Sequence, residues 1–200
     1  NNNPKIKDLN HMWSTLKILG CKKEYDIAKK DGSMIGNEGI SRLQLEEMEI
    51  GGNYNIDNLN HMKGSLKLLD IKETGIVFRT SNRRPMQMLQ KGISDLMLHT
   101  IKICKKTADL YLDHMVNSLK ILKIHDAENF DASRLKLSQL HFIGSPIRYT
   151  DYKFPFDCKI KTLESLTLEN CKCKIGNDIS ELNLRHLKII KSSLEINFDH

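Results

Sequence analysis

The chain has 200 residues and a formal net charge of +6, from 31 basic and 25 acidic side chains, with aromatics at only 6%. That length can bury a substantial core, and no apolar run is long enough to cross a membrane as a helix. The modest basic excess permits an acidic partner or a nucleic acid but demands neither.

Along the chain, a spacing of the form Leu-x-x-Leu-x-Leu recurs eight times with conservative swaps. It starts at Leu16, Leu45, Leu66, Leu98, Leu119, Leu137, Leu163 and Leu184. The steps are 29, 21, 32, 21, 18, 26 and 21 residues, with a mean of 24. That mean falls within the period of leucine-rich repeats. The fourth and sixth positions of each block are apolar, from Leu19 and Cys21 to Leu187 and Ile189. Two residues apart on a strand, they face the same way. The fifth position points oppositely and is mostly polar. Each block is therefore expected to be one short strand, stacked sideways on the next around a shared aliphatic interior.

Residues 1–15 form a polar lead-in to the first block. Lys22 to Gly32 could hold a short helix ending at the glycine. Arg79 to Pro85 reads as a polar loop, and Pro85 could open a short helix that stops at Gly92. Ser145 to Phe156 carries Tyr149, Tyr152 and Phe154 between two prolines and is expected to be extended. Leu194 to Phe198 alternates and could form a last partial coil. Neither end carries a strong cap, which a solenoid needs, so a partner or a further segment is expected to cover one.

A second periodicity overlies the first. Leu9-Asn10-His11-Met12, Leu59-Asn60-His61-Met62 and Leu112-Asp113-His114-Met115 each precede a block by the same seven residues. Between them lies another class, Ile40-Ser41-Arg42-Leu43, Ile93-Ser94-Asp95-Leu96, Ala132-Ser133-Arg134-Leu135 and Ile179-Ser180-Glu181-Leu182. Two repeat types thus alternate with a super-period near 50, as duplication of a two-repeat unit would produce. His11, His61 and His114 would line up along a solenoid rather than converge, so their expected task is to hydrogen-bond turn backbone.

The chemistry-bearing residues point away from catalysis. Cys158, Cys171 and Cys173 lack paired Cys-x-x-Cys spacing, so structural cysteine outweighs a metal site. Gly32, Gly36 and Gly39 match neither a phosphate loop nor a dinucleotide fingerprint and read as turn glycines. Glu46 and Glu47 face opposite sides of a strand and cannot share a proton. No nucleophile elbow or zinc-protease helix is present. No catalytic residue, metal or cofactor is implied. Five irregularly spaced cysteines and the absence of glycosylation sequons favour an intracellular, cytoplasmic or nuclear setting. Asn1 to Lys5 is no signal peptide and lacks an initiator Met, so the chain is expected to be part of a longer protein.

The triplets resemble those of the leucine-rich repeat superfamily over about residues 9–196. The ninth position departs from the pattern. It reads Glu24, Asn53, Thr74, Lys106, Ala127, Ser145, Cys171 and Ser192, where the family has Asn or Cys. A continuous asparagine ladder is therefore not expected. The resemblance implies one α/β domain spanning 1–200, a solenoid with a curved parallel sheet of about eight strands and short helices or loops on the convex side. It further implies a non-catalytic scaffold that binds a protein on the concave sheet. Irregular intracellular arrays of this sort resemble the substrate receptors of F-box ubiquitin ligases.

Within that frame the expected contact residues are non-core positions on or beside the central strands: Lys67, Asp70, His99, Lys102, Lys120, Lys123 and His125. His99, His125, His141 and His186 could make such a face pH-sensitive, or be ordinary solvated residues. A nucleic-acid partner on the basic face is the alternative. Acidic residues in the same rows, Glu46, Glu49, Asp70 and Glu164 among them, favour a protein.

Overall fold

The computed structural model describes residues 6–22, 35–51, 56–72, 91–103, 112–125, 132, 134–144, 152–153, 160–175 and 182–196. The helices expected within 22–32 and 85–92 and the loop at 79–85 fall almost wholly outside the described residues. The chain comprises two compact units, Asn1–Leu98 and His99–His200.

In the first unit, β1 (Ile18–Lys22), β2 (Glu47–Gly51) and β3 (Leu68–Lys72) form a parallel ladder. The register matches Leu19 to Met48 to Leu69 and Cys21 to Ile50 to Ile71. These are the fourth and sixth positions of the blocks, so the period-2 pattern also sets the register. Leu45, Met48, Leu66 and Leu69 are buried. Each such side chain contributes roughly 1.5–3 kcal/mol relative to exposure.

The coils are closed by turns. Asn10–Met12 and Asn60–Met62 are short 3-10 turns, and Asn37–Ile40 is a four-residue helix, α1. The asparagines of the Leu-Asn-His-Met signature carry the contacts between coils. Asn10 Nδ2 donates to the Glu38 carbonyl at 2.7 Å, and its Oδ1 accepts from the Arg42 N–H at 2.8 Å. Asn60 repeats this with the Lys91 carbonyl at 2.8 Å and the Asp95 N–H at 3.0 Å. The Leu9 and Leu59 N–H groups donate to the Gly39 and Gly92 carbonyls at 2.8 and 2.7 Å. So close an approach needs glycine: a Cβ would stand 2.0 Å from the Lys7 carbonyl oxygen at Gly39 and 1.9 Å from that of Asp57 at Gly92.

The second unit holds β4 (Thr100–Ile103), β5 (Ile121–His125), β6 (Gln139–Ile143), β7 (Tyr152–Lys153), β8 (Ser165–Glu169), β9 (Lys172–Ile175), β10 (His186–Ile190) and β11 (Ser193–Ile196). Five of these pair in parallel in the order β4-β5-β6-β8-β10, with Ile101, Leu122, Leu140, Leu166 and Leu187 in register. A smaller parallel sheet places β9 between β7 and β11. Tyr152 and Lys153 are thus extended, as expected, and the alternation from Leu194 becomes β11. The third signature, Asp113–Met115, is again a 3-10 turn; there Asp113 replaces asparagine and its carboxylate pairs with Arg134 at 3.2 Å.

Corners turn β8 into β9 and β10 into β11. Asn170 and Lys191, both at the eighth position, have φ of 52° and 46°. The Gly144 N–H donates to the Glu169 carbonyl at 2.8 Å, and the Asn170 N–H to that of Ile190 at 2.9 Å. At the ninth position the Cys171 thiol lies 3.1 Å from the Glu169 carbonyl oxygen and 3.8 Å from that of Phe142. The Ser192 hydroxyl lies 2.8 Å from the Ile190 and 3.4 Å from the Leu168 carbonyl oxygen. A thiol and a hydroxyl bridge successive coils at the ninth position, where Cys171 fits the Asn-or-Cys pattern and Ser192 departs from it.

The fold is a leucine-rich repeat solenoid of the α/β class: all eight triplets are parallel strands, three in the first unit and five in the second. Its inner rows are sealed on the described central strands and open at the edge strands: Leu19 on β1 is half-buried, and on β10 Leu187 and Ile189 are 45% and 43% exposed. An edge strand has a neighbouring coil on one side only, so inward-facing side chains there keep a wet flank.

Candidate partner-binding face

The third, fifth and seventh positions of each block project from the side of the sheet opposite the core. In the second unit the register aligns Lys102, Lys123, His141, Thr167 and Lys188 as one row across five strands. Each is flanked along its own strand by inward-facing aliphatic or aromatic residues, and each retains exposure. The row on one side is Thr100, Ile121, Gln139, Ser165 and His186; the row on the other includes His125, Ile143 and Glu169. Neighbouring strands stand ~4.8 Å apart, so Lys102 and Lys123 are adjacent, while Lys188 lies ~14 Å from Lys123.

Within this face His141 Nε2 is 3.1 Å from Glu169 Oε2. Burial holds the His141 imidazole below its usual range, and Lys123 and Lys188 push the same way; the hydrogen bond and charge of Glu169 oppose them. A neutral imidazole is thus favoured between two ammonium groups. Beside it, Thr167 and Gln139 offer polar groups, and Ile121 offers a half-buried aliphatic surface. The face can attract negative charge, donate hydrogen bonds and cover an apolar group.

Of the expected contact residues, Lys102 and Lys123 stand in this central row, and His125 follows one strand position further along β5. His99 precedes β4, and its Nδ1 sits 3.1 Å from the Thr100 hydroxyl. Lys120 precedes β5, where its carbonyl accepts from the Ser138 and Gln139 N–H groups at 2.9 and 3.0 Å. Lys67 and Asp70 belong to the first unit. Lys67 is exposed, but Asp70 is only 6% exposed. Its register neighbour is Glu49, so the corresponding row there is acidic, not basic. His141 and Lys188 belong with Lys102 and Lys123. All four hold the fifth position of their blocks, and His141 is among the histidines the sequence offers for a pH-sensitive face.

The signature histidines act only in part as expected: His61 Nε2 donates to the Ile40 carbonyl at 3.1 Å, while the asparagine beside it makes the repeated bridges. Cys171 is buried, and its sulfur lies against the Glu169 and Phe142 carbonyl oxygens, a structural role. Among the described residues no group of three or more His, Cys, Asp or Glu side chains could hold a metal ion, and no helix is long and apolar enough to cross a membrane.

No family model matches the chain, and no curated protein matches it. Among solved structures the chain is similar to a crystal structure of a TLR13–ssRNA13 complex, with 20% identity and a TM-score of 0.48. The similarity covers 84% of this chain but spans only 28% of that one.

Proposed function

We propose that the chain is a non-catalytic scaffold that holds a protein partner on the outward face of its β4–β10 sheet. The observation that carries this reading is the register-matched row from Lys102 to Lys188, raised on strands whose other face, β10 apart, is sealed into the core. Stacked rungs hold these groups in fixed spacing, which limits the entropy lost on binding. Glu169 within the face and Glu164 beside it mix the sign of charge. A nucleic-acid track is more uniformly basic and interleaved with large stacking aromatics, and no described outward residue on β4, β5, β6, β8 or β10 is Phe, Tyr or Trp.

The reading includes an intracellular setting, which the irregular cysteine spacing and the lack of glycosylation sequons in the sequence support. A substrate receptor of a ubiquitin ligase is its narrower form and rests on the family resemblance. Co-purification with the ligase's adaptor subunits tests that form.

The test of the scaffold itself is partner capture with the Lys120→Glu/Lys123→Glu variant. Loss of the partners held by the unaltered chain is expected; an unchanged set contradicts the reading.

A further inference from the structure

The scaffold reading leaves the chemistry of the partner open, and the spacing along the face narrows it. Three ammonium groups and one imidazole occupy four of the five places in the central row, with Thr167 in the remaining one. The row runs across the strands, so a bound chain that follows it also crosses them. Lys123 and Lys188 are three strand spacings apart, ~14 Å. In an extended peptide, side chains on one face recur every ~6.7 Å, so positions i and i+4 are separated by ~13 Å. The two spans agree. Position i+2 then falls between His141 and Thr167, where an imidazole and a hydroxyl offer hydrogen bonds. Lys102 stands one strand beyond Lys123 and extends the positive end.

We propose that this face takes an extended acidic peptide segment lying across the strands, with carboxylates four residues apart over Lys123 and Lys188 and a polar residue midway. The inference rests on the scaffold reading and names the partner's chemistry. Glu169, held beside His141, sets a limit on it. A carboxylate at i+2 would meet that negative charge, so the middle position takes a neutral hydrogen-bonding side chain. Ile121 gives the segment an aliphatic contact next to Lys123.

Fluorescence anisotropy with the whole chain tests this. One labelled peptide carries Glu at i and i+4 with Ser at i+2. A second has the same composition with the two Glu adjacent, and a single-stranded RNA of equal charge is the third probe. The spaced peptide is expected to bind about tenfold tighter than the permuted one, and Lys123→Glu or Lys188→Glu to weaken it by about tenfold, as lost charge complementarity does. Lys136→Glu should leave binding unchanged, because Lys136 Nζ donates to Asn117 Oδ1 outside the row. Circular dichroism of each variant separates lost binding from lost fold. Equal affinity for the two peptides, or tighter binding of the RNA, overturns the inference. If the peptides are not distinguished while partner capture remains sensitive to Lys120→Glu/Lys123→Glu, the acidic-segment inference falls and the scaffold reading stands. If capture is insensitive as well, both fall.

Discussion

The Ser192 hydroxyl occupies in its coil the place that the Cys171 thiol occupies in the coil before. Each meets the carbonyl two residues back in its own chain, Ile190 or Glu169, and the sixth-position carbonyl of the preceding rung, Leu168 or Phe142. The Ser192 oxygen also accepts the Cys171 N–H at 2.9 Å, tying the two corners together. Ser192→Ala should therefore cost about 1–2 kcal/mol, since the Cys171 N–H loses its acceptor. Cys171→Ser keeps a donor of similar reach and should cost less. Urea unfolding of the two variants checks the order; an equal or reversed cost would show that the corner does not depend on these bonds.

Lys191 sits at φ 46°, in a region where a side chain is strained, while the corresponding Asn170 is a residue type that tolerates it. Lys191→Gly is expected to stabilise the chain by about 0.5–1 kcal/mol, relief of strain outweighing the added freedom of the unfolded chain. A rise in thermal midpoint checks it, and a fall would mean that the lysine side chain contributes more than its backbone costs.

Gly92 and Gly20 separate close approach from open space. An alanine Cβ at Gly92 would stand 1.9 Å from the Asp57 carbonyl oxygen, whereas at Gly20 nothing lies within 4 Å. Gly92→Ala should destabilise by about 1–3 kcal/mol through forced backbone displacement. Gly20→Ala should be neutral or slightly stabilising, since alanine suits a strand no worse than glycine. Denaturant midpoints for the pair give the comparison.

His141 should titrate below the usual histidine range, because burial and the nearby Lys123 and Lys188 disfavour its charged form more than Glu169 favours it. Glu169→Gln should lower the midpoint further and Lys123→Ala should raise it, both readable by NMR of the imidazole. The sign for stability follows. Where the folded state holds histidine neutral, the unfolded state binds the proton more readily, so stability is lost as pH falls below about 6.5. His61, lowered by burial against its bond to the Ile40 carbonyl, contributes in the same direction.

The strands and their register were readable because a period of two leaves one pairing that buries Leu122 against Leu140 and Leu166. The ninth-position bridge at Ser192 is not legible, because the pattern has Asn or Cys there and the serine hydroxyl reaches the corresponding carbonyls with a different group. The Leu-Asn-His-Met signature is visible, and His61 hydrogen-bonds turn backbone at Ile40 as expected, but the larger part of the bridging is not legible. Asn10 and Asn60 do that work, each amide offering donor and acceptor together to the neighbouring coil. Asp70 was expected to be a contact residue; its burial depends on the neighbouring coils, which its own strand pattern does not specify. The fifth position of each block makes the cationic row legible: Lys102 and Lys123 are expected contact residues, His141 is expected on a pH-sensitive face, and Lys188 holds the same position in the eighth block.

A photo-crosslinking side chain at Gln139, exposed on the outward face of β6, and another at Asn117, exposed on the turn ahead of β5, locate a bound partner. A captured protein partner is expected to crosslink from Gln139 and not from Asn117. Crosslinking from Asn117 alone would place the partner on the turns and contradict binding on the sheet face.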